Sequence, residues 1–468
     1  MPKRLMNDGF YQKMLRLALP IALQNLLTCS AQIVDTTLVV GLGNDATAGT
    51  GVAARWSFLF NLCLFGISSG CAALASQSWG AKDEERIHKT FGIGLLLSAG
   101  VGALFTLVSL TVPHAMIRVF TAEPAVIEQG AAYLRAVGGY GIFVAFSLTA
   151  ATLLRATEDV LLPLAGSVIS VVTNCVLSYM LIYGVWGLPR MGVRGAAVAT
   201  VVASALQSLF LLVAGIARKK LIFTSFRGRF DFGGGFAQRF FRIMLPALGN
   251  EMAWALGTNV YMLMFARQGS ENFAAYTIFG TMEQFVFILF VGLCHACAIL
   301  VGKNVGAGET EEAYQLGRRF LRITPVIGVG MGVLLFLLRV PVSTLLPIET
   351  QGVRDTVSTL MLVYTCFLPF RPIPYICVVG IYRAGGDTKT GTYYDSFCLY
   401  CVSIPTVFVL SHWLKVPFPV LVGAMYFSED FFKIILCLRH FKSRRWIRRL
   451  TEGIAAADDC PKIEEVVS

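Results

Sequence analysis

Charge is scarce in this chain. Asp, Glu, Lys and Arg make up only 14% of its 468 residues, and 56% are hydrophobic. A water-soluble globular chain carries roughly a quarter charged residues, so a soluble multi-domain protein is excluded. Histidine is rarer still, at 5 residues, and none joins the cysteines in a zinc-site spacing. A glycine-rich nucleotide loop is absent, as is a serine nucleophile elbow, so an enzyme is not expected. The ten-residue alternating segments of a β-barrel are missing too, and so is a loop resembling a channel's selectivity filter. No short apolar core is followed by a cleavage pattern, and no cleavable signal peptide is expected. The net charge of +11 fits basic loops beside an anionic leaflet, and no nucleic-acid partner is expected.

What the chain has instead is apolar runs of bilayer length. Twelve candidate spans fall at 17–41, 52–78, 91–112, 131–154, 161–184, 195–216, 241–266, 273–301, 321–345, 356–381, 392–411 and 416–438. About 20 residues of helix cross the hydrocarbon, and in lipid each backbone amide must be satisfied within its own segment. An all-α polytopic membrane protein follows. Of the twelve cysteines, pairs such as Cys294/Cys297 and Cys398/Cys401 sit inside these runs and read as small packing residues.

With the N-terminus inside, 29 of the 39 Lys and Arg residues face the inner side and eight the outer. That bias predicts an even number of spans and two cytoplasmic termini. The expected organisation is an N-terminal six-helix lobe (1–216), a basic cytoplasmic linker (217–238), a C-terminal six-helix lobe (239–440) and a cytoplasmic tail (441–468).

The two lobes repeat each other. Pro20 and Pro246, Gly43 and Gly269, and the Gly-Ala pairs starting at Gly80 and Gly306 all stand 226 apart. Leu154-Arg155-Ala156 and Tyr382-Arg383-Ala384 stand 228 apart. An even number of helices per repeat keeps both lobes in one orientation, related by a pseudo-two-fold axis along the membrane normal. Two such bundles enclose a central cleft, and their rocking would expose it to each side in turn. Pro20 and Pro246 supply places where spans 1 and 7 can bend.

Ionisable groups inside spans are costly and mark sites. Asp35, late in span 1, shares a helix face with Thr28 and Gln24, and Asn174 of span 5 is a candidate neighbour. The second lobe offers Asn250, Glu251 and Trp254 in span 7, Glu283 and His295 in span 8, Arg371 in span 10 and Asp395 in span 11. Glu429, Asp430 and Lys433 follow in span 12. Part of this set reads as an internal salt-bridge network. Glu251 and Glu283 are the strongest candidates there for substrate binding or lobe closure, because two carboxylates exceed what packing needs. Aromatic residues, 12% of the chain, would suit cationic organic molecules wherever they line the cleft.

The stretch LALPIALQNLL through VDTTLVVGLG, the Trp79-Gly80-Ala81 loop, Arg155-Ala156, Asn174, GVRGAAVAT at 192–200 and GIYRAGGDTKT at 380–390 together resemble the multidrug and toxic compound extrusion (MATE) family, bacterial branch. The resemblance implies a twelve-helix antiporter of the bacterial cytoplasmic membrane, working as a monomer among membrane lipid. It would expel small organic, often cationic, compounds against inward protons or sodium, with no other cofactor. Asp35 and Asn174 match the family's cation-coupling site, which places any sodium ion near Asp35. Where many members carry a second aspartate this chain has Ser178, and where many carry a seventh-helix glutamate it has Trp254. Flippases for lipid-linked sugars share the general fold and form the alternative reading.

Overall fold

The computed structural model describes residues 9–450, apart from 225–228, 234 and 346–349. Parts of the expected linker and of the tail, and the basic residues Lys3, Arg4, Arg227 and Lys462, therefore lie outside the described residues. Among the described residues all regular structure is helical. Twelve membrane-length segments can be followed. The first lobe has α1 (Phe10–Val40), α2 (Asn44–Gly80), α3 (Glu84–Thr111), α4 (Pro124–Val137 and Tyr140–Ala156), α5 (Leu161–Tyr183) and α6 (Val193–Ala217). The second has α7 (Phe236–Ala266), α8 (Ser270–Ala307), α9 (Thr310–Leu345), α10 (Gln351–Phe367 and Pro372–Gly385), α11 (Thr388–His412) and α12 (Phe418–Ser443).

Eight of these helices are long and apolar enough to cross a membrane, and the two bent pairs, α4 and α10, raise the number to ten. The remaining two, α7 and α12, carry Arg239, Arg242 and Glu251, and Glu429, Asp430 and Lys433. Glu429, Asp430 and Lys433 are buried, Arg239 and Glu251 are partly buried and Arg242 is exposed near the basic end; these charges lower the apparent apolarity of the two helices.

Spans 4 and 10, expected as single helices, are broken. α4 bends by 54° at Gly138 and Gly139, and α10 by 57° over the stretch containing Pro369 and Pro372. Neither glycine resists bending, and a proline removes a helix donor, so both sites are ones where kinks arise. α10 and α11 also contain π-helical turns, Ile376–Tyr382 and Cys398–Ser403. Such turns concentrate at functional positions, and these two adjoin Arg383 and Asp395. Pro20 and Pro246, by contrast, lie inside continuous helices.

How the lobes meet follows from the apolar clusters. One joins Phe10, Met14, Leu17 and Ile21 of α1 to the second lobe's Leu293, Leu300, Phe320 and Ile381. Its counterpart joins Phe236, Phe240, Ile243 and Met244 of α7 to the first lobe's Ile67, Leu74, Phe91 and Leu153. Each lobe thus buries the first turns of the other's leading helix. The other three clusters stay within a single lobe. The shared clusters sit at the end of the bundle that carries the basic loops, and the lobes have separate cores toward the opposite end.

Two symmetry-related glycines make the shared end possible. A Cβ on Gly80 would lie 1.8 Å from the Lys303 carbonyl oxygen, and one on Gly306 would lie 1.9 Å from that of Gln77. α2 and α8 therefore cross with their backbones in contact, which only a residue without a side chain permits.

Candidate functional site

The first-lobe site grows from three helices. Asn174 and Ser178 stand one turn apart on α5, on the buried face turned toward α1. Ser178 Oγ donates to Asp35 Oδ1 at 2.9 Å. The hydrogen-bond network orients the Asn174 amide so that Nδ2 donates to Asp35 Oδ1 and Oδ2 at 3.0 and 2.9 Å, while Oδ1 accepts from Thr200 Oγ1 of α6 at 3.2 Å. One turn beyond, Tyr183 Oη donates to the Leu38 carbonyl at 3.0 Å and ties α5 to α1. Asp35 is thus held by neutral donors, and no Lys or Arg pairs with it among the described residues. The neighbouring Gln32, Ile33, Val34 and Thr36 are exposed on the outer half of α1.

Gln24 belongs to a second polar layer closer to the shared end. Its Nε2 donates to Ser167 Oγ at 2.9 Å, and its Oε1 accepts from Arg155 Nη1 at 3.4 Å. Thr28, expected to face inward with Asp35 and Gln24, is exposed and donates to its own helix at the Gln24 carbonyl.

The second lobe holds its charges in bridges. Arg371 lies 3.3 Å from Glu283 and 3.2 Å from Asp430, with its guanidinium 4.4 Å from the centre of the Tyr426 ring. Lys433 lies 3.0 Å from Asp395 and 3.3 Å from Glu429, one turn back on α12. Asn250 Nδ2 donates to Asp395 Oδ2 at 3.1 Å, and its buried Oδ1 has no partner among the described residues. Around two cations, then, stand four carboxylates. Trp254, nearly half exposed, shares a small recess with Asn250, Asp395, Glu429 and Lys433.

Glu251 and Glu283 are both paired: Glu283 shares Arg371 with Asp430, and Glu251 lies 2.9 Å from Arg383. Arg383 also donates to Ser69 Oγ of the first lobe at 3.1 Å, so the Glu251 pair sits at the seam. His295 of α8 lies close to both Arg155 and Arg383.

Thr200, Ser69 and the Arg383 pairing were not singled out from sequence. Threonine and serine inside a membrane helix are too common to stand out. Arg383 and Glu251 are brought together only by the meeting of α7 and α10. Among the described residues no group of three or more His, Cys, Asp or Glu has the geometry of a metal site.

Two pseudo-symmetric six-helix lobes that share apolar cores at one end, keep separate cores toward the other and hold polar groups within have the architecture of a multi-pass secondary transporter rather than an enzyme. The family model MatE matches residues 20–180 and 246–409, covering most of both lobes, and the chain belongs to this multidrug efflux family. It is 27% identical over 400 residues to the probable multidrug resistance protein YoeA of Bacillus subtilis, covering 85% of this chain and 86% of the relative. With the probable multidrug resistance protein NorM of Thermotoga maritima it shares 22% identity, over 94% of this chain and 93% of the relative. A solved multidrug resistance MATE transporter in an outward-facing conformation superposes with a TM-score of 0.85 at 17% identity. That match covers 94% of this chain and 98% of the other.

Proposed function

We propose that this chain is an antiporter that exports small organic, cationic or amphipathic compounds from a bacterial cytoplasm, driven by inward protons or sodium. The basic end of the bundle is then cytoplasmic, both termini lie inside, and the described state opens outward. One monomer supplies the whole path.

The observation that carries this reading is Asp35. A carboxylate within a span, beside an exposed helix face and lacking a basic partner, needs a proton or a cation to balance it. Asn174 supports the same point through its two faces. With its NH2 toward Asp35 it stabilises the ionised carboxylate. Turned over, it would present Oδ1, which suits a protonated carboxyl or a bound cation. The side-chain oxygens of Asp35, Asn174, Ser178 and Thr200 are hard donors appropriate to sodium. With one carboxylate rather than two, the site would balance a single positive charge.

Substrate cations find a complementary field in the second lobe, where four carboxylates surround Arg371 and Lys433 and the exposed ring of Trp254 offers a cation–π face. A flippase for diphosphate-linked lipids would need free arginines in the cleft. Arg371 and Arg383 are both held by carboxylates, which leaves Arg155, bonded to Gln24 and Thr152, as a single arginine rather than a cluster, so the efflux reading is preferred.

Counterflow in proteoliposomes tests the proposal, with proton and sodium gradients imposed separately against a panel of cationic dyes. Uptake driven by one gradient and lost when that gradient alone is collapsed is the expected result. Dye movement indifferent to both gradients would overturn it.

A further inference from the structure

Beyond α12 the chain does not leave the protein. At residues 444–450 it crosses from the second lobe to the first along the basic end. Arg444 turns the chain with a positive φ of 59° and lies 2.7 Å from Glu311. Trp446 is fully buried, stacked on Phe441 at 5.7 Å, and donates through Nε1 to the Phe441 carbonyl at 3.1 Å. Arg448 N donates to the Gly385 carbonyl at 2.7 Å, and its guanidinium lies 3.4 Å from Asp387. Up to this point the segment belongs to the second lobe.

Its last described residues belong to the first. Gln77 of α2 is fully buried, and its amide is satisfied entirely from the other side of the seam. Nε2 donates to the carbonyls of Ala384 and Arg448 at 2.7 and 3.2 Å, and Oε1 accepts from Leu450 N at 2.8 Å. The Leu450 side chain packs against the cluster shared across the seam, which joins Leu74, Phe91 and Leu153 of the first lobe to Phe236 and Phe240 of α7, and it lies beside Gly386.

Internal symmetry shows what is special here. The counterpart of Gln77, 226 residues on, is Lys303, which also reaches across the seam and bonds Glu158 at 2.9 Å. That bridge is a partly exposed ion pair, a kind that contributes little in water. The Gln77 bridge is buried, and parting the lobes would exchange its three hydrogen bonds for water at a net cost.

We propose that residues 444–450 form a latch that holds the lobes together at the basic end and must release Gln77 before that end opens. The latch sets the resting balance between outward- and inward-open states. Substrate entry from the basic side then requires Leu450 to leave the first lobe while Trp446 stays docked on the second. This proposal rests on the alternating-access reading above.

Hydrogen–deuterium exchange on the full chain in lipid nanodiscs tests it, with and without tetraphenylphosphonium and sodium and at two pH values, alongside counterflow. Conditions that speed exchange at 77–83 and 303–309 should speed 444–450 in step. Gln77→Ala should raise exchange in all three segments about tenfold, equivalent to losing one or two net hydrogen bonds, whereas Lys303→Ala should change it far less. Leu450→Ala, a tail substitution that leaves the span interior intact, should act like Gln77→Ala and serves if the latter does not fold. Release of 444–450 with no change at the ends of α2 and α8, and normal counterflow, would overturn the latch alone. Wild-type ends that ignore every condition, without gradient-driven counterflow, would remove the transport reading and the latch together.

Discussion

Asp35 and Arg371 show how differently one charge can be used within a membrane. Asp35 is held by amide and hydroxyl donors and has no basic partner among the described residues, and in the proposed function a mobile proton or cation balances it. Asp35→Asn should abolish gradient-driven dye efflux from everted vesicles while leaving protein abundance near normal, and full efflux by that variant would refute the assignment. Arg371 is locked between Glu283 and Asp430. Arg371→Met leaves two buried carboxylates facing each other and should cost about 3–5 kcal/mol, read as a lower thermal midpoint in detergent. At the basic end, burial pushes the Asp387 carboxyl up. The hydrogen bond from His440 and the charge of Arg448 outweigh this and hold it below the ordinary carboxylate range. A depressed pKa adds stability above the unfolded value of about 4, and that stability is lost as pH falls through the folded value. The stability that Asp387 adds over Asp387→Asn should therefore be present at about pH 5 and be lost as pH falls below about 4. A gap that persists undiminished well below about pH 4 would contradict this assignment.

At the scale of elements, the twelve spans were legible because length and apolarity are properties of a segment by itself. The bends of α4 and α10 are properties of what the segment packs against: Gly138 and Gly139 permit a kink but do not demand one. The same distinction separates the two sites. Asp35 and Asn174 could be placed together because an acid and an amide inside spans each need company. The bridges of Glu251 to Arg383 and of Asp395 to Lys433 depend on which faces of α7, α10, α11 and α12 meet, and no local pattern records that. The crossing of α2 and α8 was legible only as a repeated Gly-Ala pair, without its reason, since a glycine's near neighbour across the seam is invisible in sequence. Gly80→Val, which forces α2 off the Lys303 carbonyl, should favour lobes parted at the basic end and reduce efflux at least about tenfold, the effect of some 1.4 kcal/mol. Unaltered efflux in this variant would show that the close crossing is dispensable.

Across the whole molecule, one end shares its core between lobes and the other does not. Such a body moves by rocking about the shared end or by exchanging which end is shared, and only the second motion carries a substrate across. Spin labels on two symmetry-related pairs measure this exchange directly: Glu84 with Thr310 at the basic end, and Asn44 with Ser270 at the other, in a cysteine-depleted background. Protonation or addition of a transported dye should lengthen the distance of one pair as it shortens that of the other. Distances that change together, or at one end only, would contradict alternating access by this protein.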